Sequence, residues 1–78
     1  MTKQIDIQVK IKKLPKGWVA MDKNEKWCWF EHKPVKHLGE INKWLRQNTD
    51  DNWGYLVNIK PVSDWTKSLI KVENNNAR

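Results

Sequence analysis

Four consecutive residues, Trp27-Cys28-Trp29-Phe30, are aromatic or thiol in a chain that is otherwise lysine-rich and polar. In extended backbone they project alternately, Trp27 and Trp29 to one side and Cys28 and Phe30 to the other. A strand that is apolar on both faces needs cover on both, so this segment is expected to be the central strand of a small sheet. The flanking chain has to supply both the neighbouring strands and the cover.

A chain of 78 residues holds one domain with a small core. The domain is expected over residues 1–73, with 74–78 (Asn74-Asn75-Asn76-Ala77-Arg78) a tail that has nothing to bury and stays disordered. The six tryptophans change what so short a chain can hide, because each buried aromatic removes roughly 150–250 Å² from water. They are read first as core material, with a surplus left on a binding surface.

Along the chain, Ile5, Ile7, Val9 and Ile11 alternate with Asp6, Gln8, Lys10 and Lys12, the period of a half-buried strand. Lys13-Leu14-Pro15-Lys16-Gly17 is a turn. Trp18-Val19-Ala20-Met21 is a second strand, joined to Trp27–Phe30 by the polar tip Asp22-Lys23-Asn24-Glu25 as a hairpin. Pro34 ends the central strand, and Val35 to Leu38 is connecting chain. Leu38, Ile41 and Leu45 then fall at i, i+3 and i+7 with Trp44 beside them. This spacing predicts a short amphipathic helix over 39–48, although no Ser, Thr, Asn or Asp caps its start. Trp53 to Ile59 is the next strand, stopped by Pro61. Residues 64–72 fit either period; the β-branched Ile70 and Val72 favour a turn at 64–66 and a last strand at 68–72. The sum is an α+β fold: a small antiparallel β-sheet of four to five strands with one α-helix packed on one face.

The formal charge is +6, which admits nucleic acid or acidic proteins as partners and also serves solubility. Of fifteen basic residues only Arg46 and Arg78 are arginines, and lysine is poorly suited to bidentate reading of bases. A single cysteine excludes an internal disulfide and fits a reducing compartment. No apolar run has the length of a membrane span, and the first residues lack a signal-peptide apolar region. The expectation is a soluble protein inside a cell, with no membrane partner.

Signals for chemistry are thin. Cys28, His32 and His37 have C-x3-H-x4-H spacing with Glu31 nearby, but zinc sites need about four ligands, and this lone cysteine lies between two tryptophans. A buried, inert thiol is the reading adopted, with no metal and no cofactor. Cys28 paired with either histidine as nucleophile and base would need an accessible, electropositive thiol, which the apolar flanks oppose. Asp50 and Asp51 adjoin in a polar loop and read as solvated surface charge. The chain therefore has no catalytic residues assigned and is expected not to be an enzyme.

Leu14-Pro15-Lys16-Gly17-Trp18-Val19-Ala20-Met21-Asp22, then Trp27-x-Trp29, then Glu31-His32-Lys33-Pro34, and finally Asp64-Trp65-Thr66-Lys67-Ser68-Leu69-Ile70 form an ordered set of motifs. Over residues 14–72 this set resembles small accessory proteins of tailed bacteriophages, with their P-x-G-W-x-A-x-D hairpin and W-x-x-S-L ending. The chain departs from that pattern at the hairpin tip, where the family has an Asp-Gly type of turn and this sequence has Lys23-Asn24-Glu25. The resemblance implies a phage origin, the host cytoplasm as the place of action, and a host bacterial protein as the partner to be inhibited or redirected, a defence-system component among the candidates. It implies no catalytic set.

Two binding readings follow. In the first, surplus tryptophans on the open side of the sheet contact a protein, with Trp29, Trp53 and Trp65 as the contacts and the basic residues steering an acidic partner; a homodimer through the same face is the variant of this reading. In the second, Trp18, Trp27, Trp29, Trp53 and Tyr55 stack bases while Lys10, Lys12, Lys13, Lys16, Lys26, Lys33 and Lys36 hold phosphates. That nucleic-acid reading predicts binding that weakens steeply with salt.

Overall fold

Strand β2 (Trp27–Phe30) is flanked on both sides, as its two apolar faces require. A computed structural model describes residues 3–73, and in it β2 pairs with β1 (Gly17–Met21) on one edge and with β5 (Trp53–Leu56) on the other. Strand β6 (Ile70–Val72) closes the far side of β1, giving an antiparallel sheet in the order β5-β2-β1-β6. A second sheet is the two-stranded pair β3 (Val35–His37) and β4 (Lys43–Leu45). One short helix, α1 (Ile7–Lys10), completes an α+β fold. The start at residues 1–2 and the tail expected at 74–78 lie outside the described residues.

Residues directly opposite one another across an antiparallel ladder share a face. The register therefore defines two sides of the main sheet. On the first, Val19, Met21, Trp27 and Val72 are buried together with Ile7 and Ile59 from outside the sheet. On the second, Ala20, Cys28 and Phe30 are buried under Trp44, the inward residue of β4. Trp65 packs against both clusters. Burial of each large apolar side chain contributes roughly 1.5–3 kcal/mol, and the wholly enclosed Trp27, Met21, Val19 and Val72 pin the register of the sheet, because a one-residue slip would turn them to the wrong side.

Three indole N–H groups are tied to backbone carbonyls, each at 3.1 Å: Trp27 to Lys60, Trp29 to Pro15 and Trp44 to Trp65. The Trp29 bond explains the Pro15-x-Gly17 spacing. A Cβ at Gly17 would lie 2.7 Å from Trp29 Nε1 and against the carbonyl oxygen of Phe30. The missing side chain is thus what lets the indole cross β1 and reach Pro15.

Two expected elements exchange character. Residues 5–11 are not a strand: Ile5 makes an isolated parallel bridge to Ile59, after which the chain turns into α1 and a 3-10 turn, Ile11–Lys13. Asp6 caps the helix, its Oδ1 accepting from Gln8 N at 2.8 Å, which is the local signal that the alternation obscured. Ile7 and Ile11 are four apart and share a helical face toward the core, while Val9 is half exposed. The expected helix over 39–48 is also absent. Gly39 (φ 90°) and Asn42 (φ 55°) take left-handed backbone that a helix cannot contain, and Trp44 N donates to the Asp22 carboxylate at 2.8 Å instead of to a carbonyl one turn back. Val35–His37, expected as connecting chain, is β3. The strand expected to run to Ile59 stops at Leu56, before Asn58 at φ 61°. The last strand follows a 3-10 turn, Trp65–Lys67, capped by Asp64.

Candidate binding surface on the second face of the sheet

The second face is only partly covered. One ladder row runs Lys71–Trp18–Phe30–Trp53 across β6, β1, β2 and β5, and the next sets Ala20 beside Cys28 and Cys28 beside Tyr55. Trp44 and Trp65 close the middle of this face. Toward β5 the cover ends, leaving Trp53 and Tyr55 43% and 58% exposed. Their rings meet edge to face, with centroids 5.0 Å apart and planes at 85°, a favourable quadrupole arrangement. The Arg46 guanidinium lies over the Trp53 ring, 6.0 Å from its centroid.

Between β4 and β5 these residues wall a cleft of about 300 Å³. Phe30 and Cys28 line it from β2, and Trp44 and Lys43 from β4. Among the described residues, strand β5 is also a sheet edge. The Glu31 N–H bond to Asn52 O at 3.0 Å sets the phase of the ladder, so in the β2–β5 pairing Trp53 and Tyr55 fall at the non-hydrogen-bonded positions. Their own backbone N–H and C=O groups then point outward, available to another strand.

The electrostatics of the cleft favour an anion at its rim. Lys43 and Arg46 stand beside it. The one carboxylate that lines it, Asp22, is 4% exposed and bonded to Trp44 N, and burial pushes its pKa above the ordinary value. Asp22 therefore closes the floor of the cleft and offers little to a ligand. Cys28 is buried, and burial, helped by the charge of Asp22, pushes its thiol up to about 12. The thiolate that nucleophilic attack or metal ligation would require is not populated near neutral pH.

Of the tryptophans assigned to protein contact, Trp53 stands on this open surface, while Trp29 and Trp65 are half-buried and engaged in the core. The lysines of the nucleic-acid reading divide between two sides. Lys10, Lys12 and Lys13 belong to the helical N-terminal segment that covers the first face. Lys16 precedes β1, Lys26 ends the hairpin loop, and both are exposed. Lys33 and Lys36 lie over Trp18 and Trp44 on the second face, at 5.7 and 5.9 Å. The proposed stacking platform divides likewise, since Trp27 is sealed and Trp29 shares its face, whereas Trp18, Trp53 and Tyr55 lie on the other.

Two acidic residues behave differently from their sequence reading. Asp22, placed in a polar loop, is buried. Asp51, read as solvated, is 8% exposed and touches His32 through a 2.9 Å contact between Oδ1 and Nδ1. Among the described residues, the Cys, His, Asp and Glu side chains close enough to share an ion are Glu31, His32 and Asp51; Cys28 and His37 are not among them. Tyr55, grouped with Trp53 in the stacking platform, does pair with it, whereas Arg46 was missed as a partner of Trp53. The i, i+2 spacing of Trp53 and Tyr55 puts both on one face of a strand, but nothing local points to Arg46. Among the described residues no helix is long and apolar enough to cross a membrane. Comparison with known proteins finds no matching family model, no matching curated protein and no matching solved structure.

Proposed function

We propose that this chain is a non-enzymatic binding protein that docks an acidic segment of a protein partner along β5 and its cleft. The observation that carries the reading is the exposed Trp53–Tyr55 pair on a sheet edge, with Arg46 over Trp53 and Lys43 beside the cleft. Paired aromatics with an arginine are the side chains that dominate protein interfaces. An open edge supplies main-chain hydrogen bonds to an added strand, and the cations select an acidic one. The sealed Cys28 thiol supports a role without covalent chemistry.

The class of partner comes from the motif resemblance over residues 14–72: a host bacterial protein, met in the host cytoplasm and inhibited or redirected by having its acidic segment occupied. The test is affinity capture from bacterial lysate with the native chain and with a Trp53→Ala/Tyr55→Ala double variant in parallel, at two salt concentrations. A stoichiometric partner held by the native chain, weakened by salt and lost from the variant, is expected. A partner held equally by both moves the site elsewhere. Capture of nothing, together with a concentration-dependent dimer in sedimentation, assigns the surface to a second copy.

A second reading has its own observation. Lys33 and Lys71 lie over Trp18 at 5.7 and 5.8 Å, continuing the row of cations and indoles on the second face. Such a row suits a single nucleic-acid strand. A gel shift at low salt that disappears at moderate salt and in a Trp18→Ala variant supports it; no shift at low salt removes it.

A further inference from the structure

We propose that Glu31, His32 and Asp51 form a site for one divalent first-row transition cation of the zinc, cobalt or nickel type. The three residues come from two turns. Glu31 and His32 follow β2, and Asp51 precedes β5. The ladder between these strands runs one residue past its last pair, with Glu31 N donating to Asn52 O at 3.0 Å and Asn52 N donating to Glu31 Oε1 at 3.2 Å. The two turns are thereby held side by side, and Gln47 adds a bond to Lys33 O at 2.8 Å. One donor atom from each of the three side chains lies within 4.8 Å of the others.

The second observation is independent of that clustering. Asp51 is more than nine-tenths buried, and its Oδ1 is engaged by His32 Nδ1 at 2.9 Å. Its Oδ2, sealed from solvent, has no hydrogen-bond partner among the described residues. A buried carboxylate oxygen without a donor is costly, and a cation held by both oxygens of the Asp51 carboxylate is one of the few ways to satisfy it. Arg46 does not, because its Nη1 donates to the Asp51 carbonyl, at 3.4 Å, and not to the carboxylate.

The donor set selects the ion. One imidazole with two carboxylates suits borderline cations better than the all-oxygen preference of calcium or magnesium. Tetrahedral ligands at about 2.1 Å from one ion stand ~3.4 Å apart, so donors that lie within 4.8 Å of one another close by up to about 1.4 Å on loading, through the side-chain freedom of Glu31 and of His32, whose side chain is 66% exposed. That exposure also provides the entry path. On loading, the ion takes the place of the proton between His32 Nδ1 and Asp51 Oδ1, and the imidazole, neutral throughout, carries its one N–H on Nε2. Three protein ligands leave at least one position to water. The ion would clip the end of β2 to the start of β5, two residues before Trp53, and so brace the edge of the binding surface.

The experiment titrates tag-free, EDTA-treated and dialysed protein with Zn²⁺ by calorimetry and with Co²⁺ by visible absorption. One ion per chain with a micromolar or tighter Kd is expected. It should weaken at least tenfold in Asp51→Asn and in His32→Ala, and stay unchanged in His37→Ala. Absence of saturable binding below millimolar metal overturns the proposal, as does binding that neither variant weakens. Should Asp51→Asn fail to fold, His32→Ala, which alters an exposed side chain, decides the matter alone.

Discussion

Asp22 Oδ1 accepts a 2.8 Å hydrogen bond from the backbone N–H of Trp44, and this contact joins the two sheets. Asp22 also ends the β1–β2 hairpin, its own N–H donating to Lys26 O at 3.0 Å. Burial raises the Asp22 pKa above 3.8, opposed by the Trp44 N–H and by Lys43. A carboxyl whose folded pKa is raised favours the fold in its protonated form. Its contribution is full below the ordinary value and is lost as pH climbs through the folded one. Asp22→Asn keeps the acceptor, so denaturant titrations across the acidic and neutral range should show the native chain losing a component of stability with rising pH that this variant lacks. Asp22→Ala orphans a buried N–H and should cost about 1–3 kcal/mol.

Gly17→Ala tests the crossing of Trp29 over β1. The added Cβ meets the Phe30 carbonyl oxygen and the indole, one a backbone atom and the other held by its bond to Pro15. Overpacking of this kind costs about 1–3 kcal/mol or more. A lowered denaturation midpoint with a red-shifted tryptophan emission is the expected result, whereas an unchanged midpoint would show that β1 and β2 shift apart freely.

The hairpin tip offers the opposite change. Glu25 holds φ at 70°, the left-handed residue of a three-residue loop whose turn is closed by Glu25 N to Asp22 O at 2.9 Å. A side chain there is strained by about 1–2 kcal/mol, part of which glycine gives back through a freer unfolded chain. Glu25→Gly should therefore stabilise the protein by about 0.5–1 kcal/mol, read as a higher midpoint at unchanged denaturant slope.

Cys28 should resist alkylation in the native state. Cys28 is 4% exposed and its thiol pKa is pushed up to about 12, so reaction with a thiol reagent at neutral pH should proceed only as fast as the protein opens. Rapid, complete modification without added denaturant would show that the cover provided by Trp44 is loose.

Local pattern was enough to place β1, β2, β5 and β6 within a few residues, because turn residues bracket them and their side chains alternate over buried faces. It also assigned Trp27 and Trp29 to one side and Cys28 and Phe30 to the other, a consequence of extended geometry alone. Local pattern failed where two periods share the same residues. Ile7 and Ile11 satisfy both a strand and one helical face, and Leu38, Ile41 and Leu45 have helical spacing yet are exposed around the β3–β4 hairpin. Trp53 was legible as a surface aromatic. Arg46 as its partner and Asp51 as a buried carboxylate were not.

The amino-acid order by itself determined the central strand, its two-sided character and the need for cover on both faces, since these depend on side-chain alternation within four residues. Which segments provide that cover was decided only by the tertiary structure. The Asp22 carboxylate lies 22 residues from the Trp44 N–H that it captures, and the two turns that enclose Asp51 meet only because β2 and β5 pair. Burial and partnership across such distances arise from packing, and no window of neighbouring residues contains them.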